Sequence, residues 1–247
     1  MPDSPAPHRF PSTRWTLLQR ARDGSETEAR EALEILCRSY WQPLYSVARH
    51  RRLNQHDAQD AVQGFFECVL RREIFSSADE SAGKLRQFLL RSFDNYCTQQ
   101  WARANRQKRG GGVEHVELAD YMDTNKAEQR FQRSDASTIT IEVLYNREWA
   151  TAVLERGLEA LRADYVSRGW QERYELLVGT LLQQNDEENL RQLAARSGMK
   201  PGSLRVTLHR LRQHYRDKIE RELATTLDTD DPALIREEMA DLFKAFR

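Results

Sequence analysis

The sequence predicts an all-α fold of two helical domains joined by a linker. Three observations carry this expectation. Glycine is scarce, at 11 of 247 residues, while Ala, Leu, Arg, Glu and Gln abound, and these are strong helix formers. Apolar residues recur at three- and four-residue spacing, whereas alternating Val/Ile/Thr runs are nearly absent. The helical runs form two blocks, 13–109 and 140–225. Between them, 110–139 opens on Gly110-Gly111-Gly112 and shows weak periodicity.

Residues 1–12 are rich in proline and poor in apolar groups, and are expected to be disordered. Ser12-Thr13 offers a cap for a first helix reaching Asp23. A second helix, 26–51, carries Leu33, Leu36, Cys37, Tyr40, Leu44, Tyr45 and Val47 on its apolar side. A third begins at Asn54 or His56 and runs to about Arg71, with Ala58, Ala61, Val62, Phe65, Phe66 and Val69 facing the core. The loop IFSSADESAG leads to a long helix over 84–106. The linker is expected to hold at most a short helix. The second block divides into helices at 140–166, 171–184, 187–196 and 202–225. Thr229-Asp230-Asp231-Pro232 caps a last amphipathic helix with Leu234, Ile235, Met239, Leu242 and Phe243, so 226–247 forms a separate C-terminal segment.

Formal net charge is zero, but the charge is sorted into blocks. Residues 84–109 are basic, 114–128 are mostly acidic, the 200–216 region is basic again, and the tail is acidic at Asp228, Asp230, Asp231, Glu237, Glu238 and Asp241. Such blocks create local fields rather than a neutral surface. Three widely spaced cysteines, Cys37, Cys68 and Cys97, form no CxxC or Cys/His cluster, so no disulfide framework is expected and each reads as a small buried apolar residue. The six histidines are scattered, and no Gly-rich phosphate loop or Ser/His/Asp set has supporting context. No enzyme activity, cofactor or metal is therefore expected. The N-terminus has no apolar leader core and no stretch approaches a membrane span, which predicts a cytoplasmic protein without a membrane partner.

Residues 190–216, LRQLAARSGMKPGSLRVTLHRLRQHYR, read as a helix-turn-helix. Leu190, Leu193 and Ala194 line one face of the first helix, and Gly198 supplies the turn. Met199, Leu204, Leu208 and Leu211 mark the buried stripe of the second helix, and Pro201 suits its first turn. The opposite face carries Lys200, Ser203, Arg205, His209, Arg210 and Arg212, a set that suits the DNA major groove. Plain hairpin packing with a solvated basic face is the competing reading, and the density of cations favours DNA.

Two further surfaces lie in the first block. In HDAQDAVQGFF, residues 56–66, Asp57 and Asp60 stand at i and i+3 near a helix start, with Gln63 one turn on. They are either ordinary first-turn charge or a docking face for a basic partner. In KLRQFLLRSFDNYCTQQWARANRQKR, residues 84–109, bases and aromatics interleave. Leu85, Phe88, Leu89, Phe93 and Tyr96 read mostly as core. The remaining Arg, Asn and Gln residues, with Trp101, suit single-stranded DNA through phosphate neutralisation, base-edge hydrogen bonds and stacking.

Together these segments resemble the sigma-70 family of RNA polymerase sigma factors, in its compact extracytoplasmic-function type. HDAQDAVQGFF is similar to the family's D-A-E-D-x-x-Q-x-x-F segment, with Asp57, Asp60, Gln63 and Phe66 matching. The 84–109 helix resembles the family's F-R-x-W-L-x-x-I-A-x-N-x-x-x-D-x-x-R stretch, with Arg86, Phe88, Leu89 and Asn95 matching. STRWTLL, YWQPLY and QKRGGG resemble the planctomycete-type branch of that group. The chain departs from the pattern at Gln59, Ala61, Gln99 and Lys200-Pro201.

The resemblance implies a region-2-like bundle over 13–109 and a region-4-like domain over 140–225. It implies that Asp57, Asp60, Gln63 and Phe66 bind the β′ coiled coil of core RNA polymerase, with the β flap as a second contact. Arg86, Arg91, Asn95, Gln99, Trp101, Arg103 and Arg106 would hold the −10 element of promoter DNA. The basic helix after Gly198 would read the −35 element, with Arg205 and Arg210 suited to guanine and Lys200 or Arg212 to phosphate. An anti-sigma factor or a serine/threonine kinase is the implied regulatory partner. The rival reading is a helix-turn-helix regulator that binds duplex DNA without polymerase. The acidic C-terminal helix, 231–245, either covers a basic DNA-reading surface or completes the C-terminal core, and the second reading is preferred.

Overall fold

The computed structural model describes residues 16–70, 83–104, 123–133, 138–181 and 187–247. Among these residues it is all-α. The helices are α1 (Thr16–Asp23), α2 (Glu26–His50), α3 (Gln55–Leu70), α4 (Leu85–Ala104), α5 (Thr124–Arg133), α6 (Ile141–Ser167), α7 (Gln171–Val178), α8 (Glu187–Ser197), α9 (Pro201–Leu227) and α10 (Pro232–Lys244). The expected disorder of 1–12, the Ser12-Thr13 cap, the loop after α3 and Gly110–Gly112 lie outside the described residues.

Local chemistry sets the helix ends. Ser25 and Glu28 close a reciprocal capping box at the start of α2. The Asp57 N–H donates to Asn54 Oδ1 at 2.9 Å, which selects Asn54 over His56 as the cap of α3. The Asp231 side chain accepts from the Ala233 N–H at 2.8 Å ahead of α10, with Pro232 in the first turn. At the end of α8, Gly198 takes φ +64° and the Met199 N–H reaches back to the Ala194 carbonyl. That bond is the six-to-one link of a Schellman close, and it relies on the left-handed conformation that glycine adopts without strain. α7 ends at Val178, earlier than the sequence spacing suggests.

The helices form two compact units. The first joins Met1–Ala152 to Ala224–Arg247, and the second is Val153–Leu223. The division falls inside α6 and α9 rather than at the expected 140 and 225. In the first unit, Leu36, Tyr40, Leu44 and Tyr45 of α2 are buried, as are Val62, Phe65 and Phe66 of α3 and Leu89 and Phe93 of α4. Leu144, Tyr145 and Trp149 of α6 and Met239 and Leu242 of α10 are buried too. Phe65 meets Phe66, Phe93 and Tyr96 at centroid separations of 5.3–5.9 Å in edge-on or T-shaped geometry. In the second unit the core holds Leu161, Tyr165, Tyr174, Leu177, Leu193, Leu204, Leu208, Leu211, Tyr215 and Ile219.

Buried ion pairs hold two segments, of which the second differs from expectation. Part of the expected linker is α5, which packs on α2. Glu128 accepts from the Tyr45 hydroxyl at 2.7 Å and from Arg49 Nε and Nη2 at 2.8 Å, while Arg49 lies 5.2 Å from the Phe131 ring centroid. The second segment is α10, which completes the core of the first unit rather than of the C-terminal domain. Its Glu238 and Asp241 pair with Lys84 and Arg86 at the start of α4.

Burial pushes the Asp241 carboxyl up, but hydrogen bonds from Lys84, Arg86 and Lys244 outweigh it and hold the group well below the usual carboxylate range. Burial likewise raises Glu128, and bonds from Arg49, Tyr45 and Gln132 outweigh it. Both values are lower folded than unfolded. Their stabilisation is complete above the ordinary values of about 3.9 for Asp and 4.3 for Glu, and is lost as pH falls through the folded values. Thermal unfolding of the protein is thus expected to hold its midpoint down to about pH 4.5 and to weaken below that. Asp241→Asn, whose amide does not titrate there, should start lower at neutral pH and fall less steeply on acidification.

Candidate nucleic-acid and docking surfaces

The α3 surface follows from helical geometry. Ala58, Val62, Phe65, Phe66 and Val69 form the buried stripe, which leaves Asp57 and Asp60 exposed on the other side. Asp57 accepts from Asn54 Nδ2 at 2.7 Å, and Asp60 lies 3.6 Å from His56 Nε2. Gln63 is half-buried. Phe66 is 0 % exposed and belongs to the core, so it fixes the pose of α3 and offers no contact to a partner.

On α4, Gln87, Arg91, Asn95, Thr98 and Gln99 are exposed. Their spacing of four, four, three and one puts them on one stripe along the helix. Arg91, Asn95 and Gln99 are therefore brought together. Among the described side chains, the aromatics of α4 are not available as stacking platforms. Phe88 and Phe93 are buried, and half-buried Tyr96 stacks on Phe93 with centroids 6.5 Å apart. Trp101 and Arg103 fall within α4, but their side chains lie outside the description, and Arg106 lies outside the described residues. Asp94, the acidic residue of this basic stretch, is ion-paired to Arg51.

Arg86 departs from its expected place. It is 5 % exposed, lies 4.5 Å from the Trp149 ring centroid, and donates to Asn146 at 3.3 Å and to Asp241 at 2.6 Å. Its other partner is Glu238. The reason is positional: Arg86 stands three and four residues before Leu89 and Leu90, on the inward stripe of α4, so its charge must find buried anions. α10 supplies them. Glu238 sits likewise between Leu234 and Leu242 on the apolar stripe of α10. A charge at a stripe position marks each residue as inward-facing, though not as the partner of the other.

The α8–turn–α9 surface is built as expected. Leu193 and Ala194 of α8 and Leu204, Leu208 and Leu211 of α9 are buried, with Met199 and Leu190 half-buried. Lys200, Ser203, Arg205, His209, Arg210 and Arg212 are all exposed. Arg205 is ion-paired to Glu187 at the start of α8, and Arg212 donates to the Thr180 carbonyl at 3.3 Å. The exposed Arg205–Glu187 pair contributes little to stability.

Among the described residues, no group of three or more His, Cys, Asp and Glu is placed to hold a metal ion, and no helix is long and apolar enough to cross a membrane. Burial pushes the Cys97 thiol up to about 11, so that sulfur stays protonated at neutral pH. Comparison with known protein families, curated proteins and solved structures finds no match to this chain.

Proposed function

We propose that this protein is a sigma factor: it binds core RNA polymerase and directs promoter recognition and transcription initiation. The observation that carries the reading is the pair of polar faces on adjacent helices of one unit. Asp57 and Asp60 are exposed on α3, while Arg91, Asn95 and Gln99 form one stripe on α4. The acidic face suits the β′ coiled coil. The cation–amide stripe suits the unpaired −10 strand, through phosphate neutralisation by Arg91 and base-edge hydrogen bonds from Asn95 and Gln99. Capture of unpaired bases stabilises an open bubble without ATP, because free energy of binding offsets the cost of unpairing. The basic face of α9 supplies the −35 reader. Two weak DNA readers on one chain gain affinity by effective concentration once polymerase fixes their spacing.

The test is capture of the full-length protein on immobilised core RNA polymerase. Wild type should be retained, and Asp57→Lys/Asp60→Lys should lose at least tenfold in retention while keeping its affinity for duplex DNA. Duplex binding with no polymerase capture by wild type would instead support a helix-turn-helix regulator that acts alone.

A further inference from the structure

We propose that Val206 is a base-reading residue of α9 and that it reads thymine, through the 5-methyl group exposed in the major groove of duplex DNA. The inference rests on the reading of α9 as the helix that enters that groove. It adds residues that the basic pattern does not single out.

Val206 is 51 % exposed, while Leu204, Leu208 and Leu211 around it are at most 3 % exposed. It therefore stands off the buried stripe. Residues three and four apart adjoin on a helix surface. One turn before Val206 come Gly202 and Ser203, and one turn after come His209 and Arg210, all of them exposed. Val206 is the centre of that face. Lys200, Arg205, Arg210 and Arg212 surround it with positive charge, which complements a phosphate polyanion.

Stability alone favours neither Val206 nor Gly202. An exposed helix position is best filled by Ala, Lys, Glu or Gln, because a β-branched side chain loses χ1 freedom there. Glycine is among the poorest helix formers, and Gly202 is the second residue of α9. Nothing lies within 4 Å of where a Cβ on Gly202 would stand, so no internal packing requires glycine. Two adjoining departures from local preference on one exposed face mark a surface selected for something other than folding.

The chemistry names the ligand. Of the four bases, thymine alone presents an apolar group in the major groove. The Val206 isopropyl group makes no hydrogen bond, so against G, A or C it would leave polar base edges without a partner. A bare Gly202 lets the first turn of α9 come closer to the groove wall than any side chain would. A lone valine among cations is too narrow an apolar face to seat in a lipid interface.

The experiment uses the full-length protein and the duplex it prefers from a randomised pool. Each thymine of that duplex is replaced singly by uracil, which removes only the 5-methyl group. Wild type should lose about fourfold in affinity at one position, the value of burying one methyl. Val206→Ala, which withdraws the isopropyl methyls from the groove, should lose most of the difference between the thymine and uracil duplexes, while Val206→Thr, which keeps one of them, should retain more of it. Gly202→Ala should weaken binding to both duplexes alike. Uniform tolerance of uracil by wild type, or a thymine preference undiminished in Val206→Ala, overturns the assignment to Val206 and leaves α9 as the groove helix. Failure of wild type to bind any duplex overturns the α9 reading and this assignment with it.

Discussion

Glu238→Ala is expected to lower the unfolding free energy by about 3 kcal/mol, the lower end of the range for breaking a buried ion pair. Arg86 and Glu238 have side chains 6 % and 8 % exposed, so the guanidinium left behind cannot turn to water. Asp241 keeps one of its bonds at 2.6 Å and Trp149 stays under its plane, which holds the loss near the lower end. For a chain of this length the midpoint should fall by roughly 6–12 °C. The complementary variant carries Arg86→Met with Glu238→Leu, which removes both charges and fills both sites. It should recover most of the loss, because a hydrophobic pair avoids the desolvation that the ion pair must offset. Lys84 keeps Asp241 and Glu237 as partners in that variant. Thermal unfolding of the two variants decides the matter: a loss below about 1 kcal/mol for the single change would mean that α10 does not hold Arg86 in solution.

Gly157→Leu should disable the second unit. A Cβ at Gly157 would stand 2.9 Å from Ile219 Cγ1 and 3.2 Å from Tyr215 Cε2, so α6 and α9 meet there with no room for a side chain. Tyr215 is fixed by its hydroxyl, which donates to the Leu154 carbonyl at 2.9 Å, and Arg156 is ion-paired to Glu222 on either side of the same crossing. Neither neighbour has slack. Overpacking of this kind costs about 1–3 kcal/mol and more where backbone must shift. For a unit of this size that lowers the midpoint by roughly 4–8 °C per kcal/mol. Because α9 carries the basic face, duplex binding should fail in parallel with the unfolding of this unit, while Asp57- and Asp60-dependent polymerase capture persists. Unchanged duplex affinity in Gly157→Leu would refute the packing argument.

The parts that sequence revealed are the parts set by local rules. Gly198 and the Leu204/Leu208/Leu211 spacing defined the helix-turn-helix, because turn chemistry and helical period are carried by neighbouring residues. Asp57 and Asp60 were legible as exposed for the same reason. Arg86 was read as a DNA contact, although its place before Leu89 and Leu90 already turned it inward. What no local pattern contained was its partner, which lies 152 residues further on. Glu128 was counted with the acidic linker, yet Arg49, 79 residues earlier, draws it and α5 onto α2. The unit division left no composition signal, because it falls within continuous α6 and α9 rather than at a glycine or proline.

The first unit is discontinuous in sequence, and this shapes how it is made on the ribosome. At roughly 5–20 residues per second, α10 emerges about 8–30 s after Arg86. Throughout that interval the second unit, Val153–Leu223, is completed, while the first still lacks Met239, Leu242 and both of its carboxylates. The inward cation of α4 waits without an anion, and apolar surface meant for α10 stays open to chaperones. Vectorial synthesis thus leaves the first unit incomplete until the second has been made.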